Sequence, residues 1–370
     1  MTEIPKQMRA LVYCGKDDLR IETVPVPRIG PGDLLVKVAT CGVCPTDIKK
    51  IKHGTVPAPR IFGHETAGTI VKMGAMTRGF RLGQRVALHH HVPCLKCHVC
   101  RHRAFAQCDQ YKRTGITAGF EPAGGGFAEY VRVMPFVLPG VVPIPAKNSF
   151  EEGALLEPVN TVLKAVKRLA LLPGDTVMVI GQGPVGLMFT ALLKLSCVNV
   201  LAVDLIPQRL PVARHFGAKW TITPPELDQW LSTGRRSIDA AVVTAPSDAA
   251  VRDCHSRVRG GGQVLVFAHT TPGAMAELDL SLVCVQERDL IGSYSADFTL
   301  QAAVADLVFA RRLDVRRLIS HRFRLEQAPS AIDLAANPTP TSLKICVCPA
   351  DEPLVTHKRA AGRDQENAGD

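Results

Sequence analysis

The sequence is poor in aromatic residues and has no acidic surplus. Only 5% of its 370 residues are Phe, Trp or Tyr, which argues against the stacking platforms of single-stranded nucleic-acid binders. The first 14 residues contain no long apolar run and no small-residue cleavage site, so we expect no secretory signal. We therefore expect a reducing, cytoplasmic setting, in which clustered cysteines are typically metal ligands.

Uninterrupted apolar segments of membrane-spanning length are also missing. The nearest approach, 177–193, is broken by Gln182, glycines and a proline, and a strand followed by a helix explains it better. Hydrophobic residues make up 46% and charged residues 21%, which is typical of a globular protein. Lys and Arg number 44 against 34 Asp and Glu, a net charge of +10, so an anionic partner has to be considered.

The pattern of the chain changes near residue 155. Before it, short β-rich runs such as 34–40 and 85–88 alternate with Gly/Pro turns, as in an all-β domain. After it, apolar residues recur at helical spacing from Glu157-Pro158, and β-branched runs alternate with helical stretches. This alternation predicts α/β architecture, a doubly wound domain with a parallel sheet.

The end of the chain contains a different mixture of elements. After Tyr294 the sequence predicts a helix at 300–311, a β-like stretch at 319–325 and a last strand at 343–347, which could rejoin the first domain. Residues 350–370 have little to bury and are expected to be disordered. We divide the chain into a β-rich domain, an α/β domain, a returning segment and a tail: 1–155, 156–294, 295–349 and 350–370.

Four of the twelve cysteines are clustered in a lobe at 89–115. They form Cys-x2-Cys-x2-Cys-x7-Cys: Cys94, Cys97, Cys100 and Cys108. Short loops of this kind bring four thiolates together as a structural zinc site requires, with no open coordination position. An iron–sulfur cluster would need a shorter last gap followed by proline, whereas Asp109 follows here; free thiols are the other alternative. A zinc ribbon in which Cys41 and Cys44 join two cysteines of this lobe is less favoured, because the lobe already contains four ligands.

A second, open metal site is suggested by Cys44 and His64, which lie between β-like runs. A thiolate and an imidazole with one or two carboxylates would leave a position for water or substrate. Glu65 and Glu157 are the candidate carboxylates. Taken alone, His64 is more often an ordinary histidine, and Glu157 could simply complement the dipole of the helix that it begins.

A glycine fingerprint, Gly-Gln-Gly-Pro-Val-Gly, follows the first predicted strand of the α/β domain. Gly181 makes the tight turn, Gly183 lets the backbone approach a pyrophosphate and Gly186 allows close helix packing. Asp204 lies 23 residues after Gly181, where a carboxylate accepts from a ribose 2′-OH and repels a 2′-phosphate. This favours NAD over NADP, while Arg209 is close enough in sequence to hold a phosphate instead.

With these motifs in order, the chain resembles the zinc-dependent medium-chain dehydrogenases of the alcohol dehydrogenase superfamily, most closely their sorbitol-dehydrogenase-like polyol branch. The resemblance spans roughly residues 8–348. It rests on GVCPTD at 42–47, GHETAG at 63–68, the four-cysteine lobe, GGFAEY at 125–130, Glu157-Pro158, the glycine fingerprint and GSY at 292–294. It implies a GroES-like β-rich catalytic domain, a Rossmann domain inserted into it, and a homo-oligomer, a tetramer rather than a dimer.

The resemblance also implies roles for individual residues. Cys44, His64 and Glu157 would bind a catalytic zinc ion, and Glu65 would ligate it or lie beside it, which with the cysteine lobe makes two zinc ions per subunit. Thr46 would accept the hydrogen bond of the substrate hydroxyl and pass the proton towards the cofactor ribose. Further cofactor contacts are implied for Val185, Arg209, Phe267, His269, Ser293 and Ser295. Cys41 would have no ligand role and would serve packing.

One departure from the family pattern lies five residues after Cys44. Many relatives carry a histidine there that passes the proton to solvent, whereas this chain has Lys49. Lys49 can end such a relay only if its pKa is depressed; His53 or water could act instead. Lys50 and the arginines of 311–324 are a second difference, either a solvated helix face or a positive rim for acidic substrates.

The sequence therefore predicts NAD-dependent, zinc-dependent oxidation of a secondary alcohol or polyol, such as a sugar alcohol or cyclitol, to a ketone. A threonine dehydrogenase is the alternative within the same chemistry. From another class, the basic charge and the zinc lobe could belong to a nucleic-acid-binding protein without catalysis. The open metal site beside a dinucleotide fold argues against that alternative, and no membrane partner is expected.

Overall fold

A computed structural model of the chain describes residues 3–89, 92–113, 124–232, 237–268 and 273–349. The tail predicted to be disordered, 350–370, and the predicted cofactor contact His269 lie outside these residues. None of the helices described is long and apolar enough to cross a membrane. The apolar stretch at 177–193 instead forms most of a strand and a helix.

The first part of the chain folds into two sheets. Its strands are β1 Gln7–Gly15, β2 Asp18–Pro25, β3 Leu34–Gly42, β4 Arg60–Ile61, β5 Glu65–Met73, β6 Arg85–Leu88, β7 Tyr130–Val133 and β8 Val142–Pro143. Its helices are α1 Pro45–His53, α2 His98–Arg101, α3 Asp109–Arg113 and α4 Phe150–Ala154. The order β2-β1-β4 makes a small sheet, and β3, β5, β6 and β8 belong to a larger one, with β7 paired to β3.

The second part is a six-stranded parallel sheet with helices between its strands. Its strands are β9 Thr176–Ile180, β10 Asn199–Val203, β11 Trp220–Ile222, β12 Ile238–Val243, β13 Val258–Val266 and β14 Asp289–Gly292. Its helices are α5 Leu156–Val166, α6 Pro184–Leu195, α7 Leu210–His215, α8 Leu227–Ser232, α9 Asp248–Arg257 and α10 Leu280–Cys284. The order β11-β10-β9-β12-β13-β14 is the doubly wound order, in which ligands bind where the direction of winding reverses. The predicted α/β fold class, a GroES-like β-rich part with a Rossmann sheet, is confirmed.

The end of the chain returns to the larger β-sheet of the first part. Its elements are α11 Gln301–Phe309, β15 Ile319–Arg324, α12 Ala328–Ala336 and β16 Lys344–Cys348. β16 pairs antiparallel with β3, Cys346 opposite Gly42, and β15 pairs in parallel with β16. The last strand thereby lies next to the segment that leads into α1, which becomes important for the metal site below.

The junction between the two parts is closely packed. Ala67 and Ala87 of the larger sheet belong to the same apolar core as Leu156 and Val159 of α5. A Cβ added at Gly153 would lie 2.4 Å from the Ile144 side chain, so α4 approaches the sheet as closely as its backbone allows. Helix α5 follows α4 directly and therefore connects the larger sheet to the part of the chain that contains the parallel sheet.

The predicted helix start at Glu157-Pro158 is one residue late. Helix α5 already begins at Leu156, with Pro158 inside its first turn. The first four N–H groups of a helix have no partner within the helix, so a proline costs little there. The preceding helix α4 begins with a capping box in which Ser149 and Glu152 satisfy each other's backbone N–H groups.

Candidate active site

Three candidate metal ligands converge where β3 ends and β5 begins. The ligand atoms of Cys44, His64 and Glu65 all lie within 4.8 Å of one another. The strand register produces this, because Gly42 of β3 lies opposite Glu65 of β5 and Cys44 follows two residues later at the start of α1. His64 and Glu65 are buried. A thiolate, an imidazole and a carboxylate are the ligand types that suit zinc.

Asp47, on the first turn of α1, orients the His64 ring. Its Oδ1 lies 3.1 Å from His64 Nδ1, and both side chains are buried. Burial acts to lower the pKa of His64, but the charges of Asp47 and Cys44 outweigh it and raise that pKa well above its usual range. A carboxylate on one ring nitrogen leaves Nε2 for a metal, the usual arrangement of a ligating histidine. Sequence reasoning did not assign Asp47 a role, although it lies in the GVCPTD motif.

Lys344 of β16 is the second residue that sequence reasoning missed. Its Nζ lies 2.5 Å from the Glu65 carboxylate and donates to the backbone oxygen of Val43 at 2.9 Å. Burial acts to lower the pKa of Lys344, but Glu65 outweighs this and raises it. The closeness extends to Gly42, where a Cβ would lie 2.0 Å from Glu65 Oε2. The returning strand thus supplies a countercharge to the candidate metal site.

We expect Lys344→Met to lower the free energy of unfolding of the chelator-treated protein by about 3 kcal/mol, because removing one partner leaves a buried carboxylate unpaired. Urea denaturation followed by circular dichroism measures this. Adding Glu65→Gln to the variant should restore part of the loss, since the two side chains are coupled. The exposed pair Arg20 and Asp18 is the control: if Arg20→Met is as costly as Lys344→Met, this expectation is wrong.

Glu157 lies close to this group but is not one of its three mutually close ligands. It is on the first turn of α5 and buried. Burial raises the pKa of Glu157 to about 7, partly offset by His64 and Lys344. Burial raises the pKa of Tyr294, and the charges of His64, Cys44 and Glu157 also act on it, so the Tyr294 side chain lies near the same group. Tyr294 went unassigned in the sequence, although the GSY motif contains it.

The four clustered cysteines form a separate metal-ligand group. The Sγ atoms of Cys94, Cys97, Cys100 and Cys108 lie within 4.8 Å of one another, and Cys97 and Cys100 are 3.4 Å apart. Backbone N–H groups of Lys96 and Cys97 lower the pKa of Cys94 to about 6, which favours the thiolate that a metal needs. All twelve cysteines are free thiols. The two groups are distinct, so the zinc-ribbon alternative is wrong; Cys41 is buried in an apolar core.

The glycine fingerprint has the backbone geometry that a phosphate loop requires. Gly181 has φ +90°, and a Cβ at Gly186 would lie 1.8 Å from the Gly181 oxygen. Gly183 caps α6, whose first residues are Pro184 and Val185. The N-terminus of this helix therefore offers N–H groups to an anion at the carboxyl end of β9.

Asp204 follows β10 and is held by the backbone. It accepts from Gln182 N at 2.5 Å and from Ile206 N at 2.8 Å. Arg209 places Nη1 3.9 Å from Asp204 and donates through Nη2 to the Thr339 oxygen at 3.4 Å. Both candidate determinants of cofactor choice thus lie beside the fingerprint.

The remaining cofactor candidates lie at the ends of β13 and β14. Phe267 follows β13 and packs against Phe189 of α6, with ring centroids 5.0 Å apart. Ser293 follows β14 and donates its backbone N–H to Val266 at 3.3 Å. Ser295 adopts φ +60° and makes a side-chain hydrogen bond to Tyr111 at 2.9 Å.

Thr46 and Lys49 lie on α1, directly after Cys44. Thr46 is in the first turn, and burial lowers the pKa of Lys49. Lys50 places its Nζ 6.0 Å from the Phe62 ring centroid.

The late arginines form ion pairs within the chain. Arg311 pairs with Glu152, and Arg322 of β15 pairs with Glu151. Arg316 pairs with Asp314 in the turn before β15. Arg311 lies just beyond α11, Arg316 in a short 3-10 helix and Arg322 on a strand, and the charge of each is offset by a neighbouring carboxylate.

The comparisons with known proteins agree with this geometry. The family model described as Alcohol dehydrogenase GroES-like domain matches residues 30–146, and the one described as Zinc-binding dehydrogenase matches 184–310. A sorbitol dehydrogenase of Bacillus subtilis is 30% identical over 356 residues, which covers 94% of this chain and 98% of that protein.

Two solved structures extend the likeness to three dimensions. One is a putative zinc-binding dehydrogenase of Sinorhizobium meliloti bound to NADP, with TM-score 0.84 and 26% identity. The other is 2R,3R-butanediol dehydrogenase of Bacillus subtilis, with TM-score 0.81 and 25% identity. Each alignment covers 93% of this chain and 100% of the other. The chain therefore belongs to the zinc-dependent medium-chain dehydrogenases, a family of oxidoreductases, in their sorbitol-dehydrogenase-like polyol branch.

Proposed function

We propose that the protein uses zinc and NAD to oxidise a secondary alcohol of a polyol, a sugar alcohol or a cyclitol, to a ketone. The observation that carries this is the convergence of Cys44, His64 and Glu65 near Tyr294. Tyr294 follows β14, so this group faces the carboxyl ends of the parallel strands, where a dinucleotide binds in such a sheet. A metal site and a nicotinamide ring would then share one cleft.

Cys44, His64 and Glu65 would hold the catalytic zinc ion, and Glu157 would join them as a further carboxylate. Zinc, when bound, supplies a Lewis acid that lowers the cost of losing the hydroxyl proton. Asp47 keeps the His64 ring in the ligating orientation. The four cysteines of the lobe would hold the second zinc ion, with no position left for chemistry.

Thr46 would accept the hydrogen bond of the substrate hydroxyl and pass the proton towards the cofactor ribose. Lys49 would end this relay. Its half-buried position, which lowers its pKa, supports that role, because a relay group works best when its pKa lies near the working pH.

NAD would lie along the fingerprint, its pyrophosphate on Gly181, Gly183 and Gly186 with Val185 beside it. Asp204 would accept from the ribose hydroxyls, and Arg209 would cover the adenine side. On the nicotinamide side the contacts would come from Phe267, His269, Ser293 and Ser295. Hydride transfer belongs to the cofactor chemistry, while these residues set its geometry.

A substrate panel tests this function. We expect NAD reduction with sugar alcohols, cyclitols or vicinal diols, since the Bacillus subtilis relatives are named for sorbitol and 2R,3R-butanediol. The panel should also contain L-threonine, simple secondary alcohols and a chelator-treated sample. Turnover of L-threonine alone would replace the polyol assignment by the threonine alternative, and activity that survives removal of all zinc would contradict the mechanism.

We also propose a cytoplasmic homo-oligomer, a tetramer rather than a dimer. The edge strand β14 exposes Leu290, and the nearby helix α10 exposes Leu280 and Val283. An exposed strand edge with apolar neighbours favours pairing with another chain. Light scattering should give about four times the chain mass of 39.9 kDa; a monomer would contradict this proposal. The reduced thiols that both metal groups need support the cytoplasmic setting.

A further inference from the structure

The segment that follows β14 carries Tyr294 past the candidate metal site, and we call residues 292–297 the cleft strap. Helix α5 holds the backbone of the strap at several points. Arg168, just beyond the helix, donates to the Gly292 oxygen, and Lys164 donates to the Tyr294 oxygen at 2.8 Å. Asn160 accepts from the Asp297 N–H at 2.8 Å. Because Glu157 lies on the same helix, one rigid element positions both the strap and a candidate ligand.

The four-cysteine lobe also holds the strap. Tyr111 of α3 lies three residues after Cys108, and its hydroxyl group is 2.9 Å from Ser295 Oγ. Phe105 of the same lobe meets Phe298 edge to face, with ring centroids 5.6 Å apart. Tyr111 is only 6% exposed and shares an apolar cluster with Cys100 and Cys108. The side chain that reaches the strap is therefore packed directly on the metal-binding cysteines.

The backbone of the strap needs such support. Ser295 has φ +60°, a left-handed conformation that is unfavourable for a residue other than glycine. Such a conformation persists where surrounding contacts determine it. The hydrogen bond with Tyr111 is made by the side chain of Ser295 itself, which is next to Tyr294 in the chain. A change at Tyr111 would therefore be felt next to Tyr294, whose side chain lies near the candidate metal ligands.

We infer that Tyr111 is a positioning residue through which the four-cysteine lobe sets the cleft strap and, with it, the affinity for the alcohol substrate. The lobe then contributes to substrate binding as well as to stability. This inference rests on the proposed function for its kinetic consequence, whereas the link between lobe and strap stands on the geometry alone.

The test compares Tyr111→Phe with the native enzyme by hydrogen–deuterium exchange and by steady-state kinetics. Loss of one buried hydrogen bond should raise KM for the alcohol roughly 5- to 30-fold, with kcat within about twofold. Exchange of amides in the strap should quicken, while the zinc content stays unchanged. Tyr130→Phe, at another buried tyrosine on β7, is the matched control and should leave strap exchange and KM unchanged.

Two further variants keep the test decisive. Ser295→Ala should quicken amide exchange in the strap as Tyr111→Phe does. The double variant should add little to either single effect, since both substitutions remove the same hydrogen bond. Cys97→Ser, which should lose the lobe zinc, should quicken exchange in the same strap peptides. Strap exchange that is unchanged in Tyr111→Phe overturns the inference, as does a KM change equalled by Tyr130→Phe. If no alcohol is turned over, the proposed function fails. Amide exchange in the strap then still tests the link between the four-cysteine lobe and the strap.

Discussion

His64→Ala should lower kcat for alcohol oxidation by about 10³-fold or more. A Lewis acid stabilises developing charge by several kcal/mol, and about 4 kcal/mol corresponds to roughly 10³-fold in rate. His64 is buried between Asp47 and Cys44, and alanine would remove the only imidazole of the group formed with Glu65. Initial rates with the best substrate of the panel, together with zinc analysis, measure the effect.

The zinc content should fall from two ions to one in this variant, because the four-cysteine lobe is a separate group. NADH binding, followed by fluorescence, should be preserved. His53→Ala, at the exposed end of α1, is the matched control and should retain both ions. A His64→Ala enzyme with more than a tenth of the native activity would refute the assignment of this group as the catalytic centre.

Asp204→Asn should shift the ratio of kcat/KM for NADP over NAD by roughly 10²-fold in favour of NADP. The substitution removes a charge that would repel a 2′-phosphate, and it weakens hydrogen bonds to a ribose hydroxyl, each worth about 1.5–3 kcal/mol when charged. Asparagine is chosen because its carbonyl oxygen can still accept from Gln182 N, so that of the two backbone hydrogen bonds only the one from Ile206 N is lost. Steady-state kinetics with both cofactors measure the ratio.

Arg209→Met is the companion variant. The Arg209 guanidinium lies beside both Asp204 and the Gly183 position. Its removal should therefore lower the use of NADP by the Asp204→Asn enzyme. The native preference for NAD should persist in the single Arg209→Met variant. A native enzyme that prefers NADP, or a ratio unchanged in Asp204→Asn, would contradict the assignment of Asp204.

Local features were predictable where short-range pattern decides the structure. The strand 85–88 was predicted with its observed bounds, because a short apolar run between turn residues has few alternatives. The cysteine lobe and the fingerprint were also found, since their ligands or glycines lie within a few residues. The start of α5 was misplaced because a proline is tolerated throughout the first turn of a helix, so its position does not show which residue begins the helix.

Contacts between distant residues escaped sequence reasoning. Lys344 is 279 positions from Glu65, and its only signal was a single lysine in an otherwise apolar strand. Tyr111 is 184 positions from Ser295, and nothing local marks it as a partner. The arginines at 311–324 suggested a charged surface, whereas their partners Glu151 and Glu152 lie about 160 to 170 positions earlier.

The sequence by itself determined the family, the two kinds of metal-ligand group and the dinucleotide loop, because each depends on residue types at short, fixed spacings. Only the tertiary structure decided which carboxylate joins Cys44 and His64 in one ligand group, which lysine neutralises it, and which side chain links the cysteine lobe to the strap. The physical reason is that buried charges and strained backbone are stabilised by whichever groups the fold packs against them. Here those groups come from β16 and α3, which strand pairing and core packing bring to the cleft.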